Sequence, residues 1–223
     1  MDNPKEQQAS LVRKWDAEAE KFREETRNAA LRADLAELEL EEKKRLQAET
    51  LAEDKYHHVY NFHDEVSSHS VDKCIDQLAS WVRMAKCPLE IEIVFHSPGG
   101  EMMNGLALFD FIKILQSKGH TVNTMALGMA ASMAAILLQA GTVRRMGREA
   151  WVLIHEAQFG AIGTTGQVED TVEWVKMIHK RILNIFAERS NLTVRQLERR
   201  WKRKDWWLSS VDCLKYGLVD EVR

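Results

Sequence analysis

Two rhythms of apolar residues run along this chain, and one gives way to the other near residue 55. From 5 to 55 the chain is rich in Glu, Lys, Arg, Ala and Leu with no Gly and no Pro, and Pro4 stands just ahead as a helix-start signal. Leu11, Trp15, Ala19 and Phe22, then Leu31, Leu35 and Leu38, recur in steps of three and four, which gives a helix an apolar face. The stripe fades at Glu41-Glu42-Lys43-Lys44 and returns at Leu46. Charges four apart are mixed: Glu20 and Glu24 repel, whereas Glu41 and Arg45 attract. The pattern predicts a helix of about 40–50 residues, roughly 60–75 Å long. So long a helix cannot pack wholly on one small domain. It is expected to pair with another copy or with a partner helix, although the stripe is too irregular for a strict coiled coil.

From Tyr56 the rhythm alternates between strand and helix. Strands are predicted over Tyr56 to Phe62, Ile91 to Phe95, Thr121 to Ala126, Val143 to Met146 and Trp151 to Ile154. Helices are predicted over Val66 to Ala85, ended by Pro88, over Leu106 to Leu115, and over Val168 to Ala187. A shorter helix opens at Thr193, capped by its hydroxyl. Strands alternating with helices argue a parallel, layered α/β sheet. Gly99-Gly100 reads as a turn. Gly128-Met129-Ala130-Ala131 reads as a small-residue turn that delivers Ser132 to the start of a buried helix, Met133 to Leu138.

Composition narrows the class. A chain of 223 residues that is 45% hydrophobic can hold one domain, or one domain plus an appendage, and a net charge of -3 does not point to nucleic acid. Cys74, Cys87 and Cys213 have no CxxC spacing and read as reduced thiols. With no apolar run of spanning length, the chain reads as a soluble cytoplasmic protein without a membrane partner. His57 and His58 read as surface residues, and no His/Cys/Asp cluster has metal-ligand spacing.

The candidate chemistry centres on Ser132. A serine at a helix N-terminus meets free N–H groups and the positive end of the helix dipole, which can stabilise an oxyanion. A buried helix that happens to carry a serine accounts for the same residues. His155 directly follows the apolar strand Val152-Leu153-Ile154, a rigid place from which to aim an imidazole base, and also a common place for a structural histidine.

Several stretches, taken in order, resemble the Clp protease proteolytic subunit family (ClpP). They are Ser97-Pro98-Gly99-Gly100, Gly128 to Met133, Ile154-His155, Asp205-Trp206-Trp207-Leu208-Ser209 and Tyr216-Gly217-Leu218-Val219-Asp220. The resemblance covers residues 56–223. It implies an α/β fold, a ClpP/crotonase-like spiral of ββα units, with 1–55 as a long charged helical extension and 56–223 as a serine protease domain. It implies a serine endopeptidase with Ser132 as nucleophile, His155 as base and Asp205 as the orienting acid. Asp212 and Asp220 compete with Asp205, and Trp206 is bulkier than the family residue at its place. The Gly100 and Met133 N–H groups would form the oxyanion hole. No cofactor and no metal are implied.

Partners implied are a polypeptide substrate, further copies in a hexameric, heptameric or double ring, and an AAA+ unfoldase. The Gly160 to Gly166 stretch matches the family's ring-to-ring handle and is expected to be an extended, mobile strand able to hold a peptide. The long helix departs from the family N-terminus. It suits a phage or actinobacterial capsid-maturation variant, in which 1–55 tethers a capsid or scaffold protein. The alternatives are a non-catalytic structural ring subunit, a Ser-Lys protease of signal-peptide-peptidase type, and a crotonase acyl-CoA enzyme.

Overall fold

A computed structural model describes the chain over residues 4–223. The first three residues of the expected 1–55 extension lie outside the described residues. The chain divides into two compact units at the Glu53–Asp54 boundary.

The first unit is a single helix, α1 (Pro4–Ala52), 49 residues long. Leu11, Trp15 and Phe22, and likewise Leu31, Leu35 and Leu38, are each more than half exposed. At about 100° per residue the first trio clusters on one side of the helix and the second on roughly the opposite side. Among the described side chains the expected apolar stripe therefore has a second, opposed patch at Leu31, Leu35 and Leu38, while Leu40 and Leu51, also exposed, fall back on the face of the first trio.

The second unit runs β1 (Val59–Phe62), α2 (Ser68–Met84), β2 (Glu90–Ser97), α3 (Met102–Ser117), β3 (Thr121–Ala131), α4 (Met133–Leu138), β4 (Arg144–Met146), β5 (Trp151–Ile154), α5 (Thr165–Glu188), α6 (Val194–Trp201), β6 (Trp206–Ser209), α7 (Ser210–Lys215) and β7 (Glu221–Val222). The strands form one sheet in the order β1-β2-β3-β4-β7. β5 pairs parallel with the far half of β3, and β6 pairs antiparallel with β5. The sheet is thus mixed and not wholly parallel. Trp206-Trp207-Leu208-Ser209 is a short strand that follows a basic run and returns alongside β5, burying Leu208 opposite Val152.

Caps and apolar faces explain the helices. Ser67 and Ser70 form a reciprocal capping box at the start of α2, which buries Val71, Cys74, Leu78 and Trp81 at helical spacing. Thr164 with Gln167 caps α5, and Thr193 with Gln196 caps α6. Ile91, Ile93 and Phe95 of β2 are fully buried, each worth about 1.5–3 kcal/mol on leaving water. The expected extended strand at Gly160 to Gly166 is absent among the described residues. Residues 155–163 form no strand, and Gly166 lies inside α5.

The central strand differs most from expectation. Gly128 to Ala131 is not a turn, because β3 continues to Ala131. Its pairing with β2 moves from Phe95↔Ala126 to Ser97↔Ala130, so β3 carries extra residues at a bulge. Gly128 has φ +66°, and a Cβ there would meet His96 Nδ1 at 2.5 Å. On its other edge β3 changes partners at the bulge: Thr124 to Ala126 pair with β4, and Met129 to Ala131 pair with β5. The kinked second half runs straight into Ser132.

Candidate active site

Ser132 is the single residue between β3 and α4. Its backbone sits at φ 53°, ψ -120°, a region that a residue with a side chain adopts only under strain. Two contacts hold it there. Its N–H donates to the Leu153 carbonyl at 2.9 Å, which ties it to β5, and its carbonyl accepts from Ala135 N at 3.1 Å in α4. The next residue, Met133, opens α4, so its N–H has no acceptor within the helix.

The Ser97–Glu101 loop closes on this turn. Ser97 is buried, and its Oγ accepts from Gly99 N at 3.2 Å. Gly99 has φ +90°, and a Cβ on it would lie 2.5 Å from the Ala131 carbonyl oxygen and 2.6 Å from Ser132 Cβ. Only glycine allows this approach. Val66 N donates to the Gly99 carbonyl and Glu101 N to the Val66 carbonyl, both at 2.7 Å, so Val66 pairs with Gly100 as an isolated bridge. Among the described residues the Gly100 N–H makes no hydrogen bond.

Ser132, Met133, Gly99, Gly100 and His155 line one cavity of about 480 Å³. Its apolar wall comes from Met102, Ile136, Ile154, Ile182, Phe186 and Trp201. His155 is half-buried, one residue beyond the end of β5. Because Ala131 pairs with Leu153, the register carries Ser132 and His155 to the same end of adjacent strands.

Asp205 is exposed and lies outside the cavity lining. In the β5–β6 register Ile154 pairs with Trp206, and one further step sets Asp205 across from His155. Arg203 N donates to Glu156 Oε2 at 3.0 Å, which holds the segment before β6 against the residue after His155. Among the described residues, the side chains of Ser132, His155 and Asp205 make no hydrogen bonds with one another. Catalytic bonds of this kind often tighten only around substrate.

The rival acids are engaged elsewhere. Asp212 accepts from Ser209 Oγ at 2.7 Å at the start of α7. Asp220 pairs with Arg144, with Nη2 to Oδ1 at 2.6 Å and Nε to Oδ2 at 3.0 Å. Arg144 is nearly fully buried, and its Nη1 also donates to Gln139 Oε1 and to the Arg189 carbonyl. Burial pushes the Asp220 carboxyl up, but the hydrogen bonds and charge of Arg144 outweigh it and hold the group below its ordinary value. His96 lies outside the cavity lining, with its ring against His63 and its Nδ1 3.0 Å from the Leu127 carbonyl oxygen. Burial raises the thiols of Cys74 and Cys213, the latter to about 12, and only Cys87 is exposed. Among the described residues no three His, Cys, Asp or Glu side chains are grouped to hold a metal ion.

Among the cavity residues that the sequence pattern did not assign to a site are Glu65, Glu101, Phe186 and Trp201. Glu101 directly follows Gly99-Gly100, a signal that was available. The other three arrive through long-range packing.

The sequence matches the Clp protease family over residues 51–223. ATP-dependent Clp protease proteolytic subunit 2 of Chlamydia trachomatis serovar D is 35% identical over 135 residues, 60% of this chain and 64% of that protein. Proteolytic subunit 1 of Chlamydia felis is 34% identical over 135 residues, with the same coverage. The proteolytic subunit of Bacteroides thetaiotaomicron is 32% identical over 137 residues, 60% of each chain. The chain thus spans less than two thirds of the length of these curated relatives. Among the described residues no helix is long and apolar enough to cross a membrane. A family match over more than half of the chain, on an α/β unit with a mixed sheet behind a long N-terminal helix, establishes that the chain belongs to the Clp protease family.

Proposed function

We propose that the chain is a serine endopeptidase of Clp type. The observation that carries this reading is the strained Ser132 turn, which opens into one cavity with His155 and with the Gly99–Gly100 loop packed against it. In this reading Ser132 Oγ attacks the scissile carbonyl carbon as His155 takes its proton. The oxyanion receives the Gly100 and Met133 N–H groups, one such donor being worth about 3 kcal/mol. The intermediate collapses, the C–N bond breaks, and His155 returns the proton to the leaving amine. Water then adds to the acyl-enzyme by the same base, which releases the acid and restores Ser132. Asp205, across from His155 in the register, orients the imidazole once a substrate draws the three groups together. No cofactor or metal takes part.

Residues 1–55 are the extension in this reading, 56–223 the protease domain, and the protease domain is the ββα spiral shared with crotonases. The family supports a polypeptide substrate and a homo-oligomeric ring, whereas α1, which departs from the family N-terminus, is read as the segment that binds a further partner. That partner is an AAA+ unfoldase or, in a capsid-maturation variant, a capsid or scaffold protein. The two opposed apolar stripes of α1 favour a partner-binding task for that helix. The test is hydrolysis of an unfolded protein by the full chain, with the assembly sized by sedimentation. Cleavage abolished by Ser132→Ala in an unchanged assembly supports the reading. An intact assembly that cleaves nothing, alone or with an unfoldase, supports a structural ring subunit instead.

A further inference from the structure

Two carboxylates border the cavity beside the oxyanion loop. Among the described residues Glu65 and Glu101 are the only carboxylates that line the cavity, and no Lys or Arg lines it. The fold fixes both in place. The Val66–Gly100 bridge holds Glu65 immediately before and Glu101 immediately after the paired residues. The side-chain stem of Glu65 lies over Gly100, so a Cβ on that glycine would meet Glu65 Cγ at 2.9 Å. Glu101 accepts from Asn104 Nδ2, and among the described residues neither carboxylate has a cationic partner. Both residues are exposed, and the same cavity is otherwise lined largely by apolar side chains, Phe186 and Trp201 among them.

This placement works against catalysis on a neutral substrate. The proposed oxyanion develops beside Gly100, and two negative charges nearby oppose it. A substrate cation seated between them removes that penalty and adds attraction of its own. Resting on the serine-peptidase reading, we infer that Glu65 and Glu101 are specificity-determining residues that select polypeptides carrying a lysine or arginine next to an apolar residue at the cleaved bond. The basic side chain is bound at the carboxylates while the apolar one fills the wall of Phe186 and Trp201. The gain falls partly on the chemical step, because the cation offsets charge that the transition state feels.

The experiment uses internally quenched peptides with one apolar residue at the cleaved bond. Each neighbouring position in turn carries lysine or its uncharged isostere norleucine. The full chain and its Glu65→Gln/Glu101→Gln variant are compared, with fluorophosphonate labelling of Ser132 measured on both. At one position lysine is expected to be favoured roughly fivefold in kcat/KM at low salt, as suits a partly exposed charge contact, and less at about 0.5 M salt. The double variant brings the ratio to about one and cleaves the norleucine peptide faster than wild type does. A ratio near one at every position in wild type overturns the inference, as does a lysine preference that survives in the variant. A well-folded chain that neither labels nor cleaves any peptide overturns the serine-peptidase reading, and this inference with it.

Discussion

At the scale of single residues, the site is held by backbone conformations that ordinary side chains resist. Ser132 at φ 53° is strained, and glycine relieves such strain. Ser132→Gly is therefore expected to be about 1 kcal/mol more stable than Ser132→Ala, measured by urea denaturation, while both are inactive. Equal stability would mean that the turn stores no strain. Gly99→Ala pushes a methyl group into the Ala131 carbonyl and the Ser132 side chain. It should cost about 2 kcal/mol and abolish reaction at Ser132, readable by thermal melting and by labelling. Ser132, His155 and the Gly99–Gly100 loop were legible because each sits in a short local pattern. Glu65 was not, because it reaches the cavity only through the bridge between Val66 and Gly100, which no local pattern announces.

At the scale of elements, the Arg144–Asp220 pair joins β4 to the residue before β7 and reaches the ends of α4 and α5 through Gln139 and Arg189. Removing Asp220 leaves the buried Arg144 guanidinium without its counter-charge. Asp220→Asn is expected to cost about 3 kcal/mol near pH 7. The pair also sets an acid limb. The Asp220 carboxyl titrates lower in the folded chain than in the unfolded one. Its stabilisation is thus complete above the unfolded value, near 4, and fades as pH falls through the folded one. Unfolding free energy should fall with acid in wild type and fall less steeply in Asp220→Asn; parallel slopes would contradict this. The strands and helices with regular spacing were legible. β6 was not, since two tryptophans after a basic run give no alternation to count. Nor was the length of β3, where small residues that suggest a turn instead permit a bulge and a change of neighbours.

At the scale of the whole molecule, the rhythm of apolar residues changes near residue 55, and the structure divides into two compact units at Glu53–Asp54. What the sequence pattern hid in α1 is the second, opposed face, because steps of three and four within each trio say nothing of the angle between trios. Two opposed stripes imply two contact surfaces. Trp15→Ala/Phe22→Ala and Leu35→Ala/Leu38→Ala should each weaken capture of an α1 partner in pull-downs, and a chain lacking residues 1–53 should lose it. Unchanged capture by the truncated chain would contradict a tethering role. The central claim, an activated serine, is tested most directly by fluorophosphonate labelling of the full chain followed by intact mass, beside Ser132→Ala and His155→Ala. The account predicts one adduct per chain, located at Ser132 and absent from both variants. No adduct on a folded assembly, or an adduct that persists in Ser132→Ala, would contradict it.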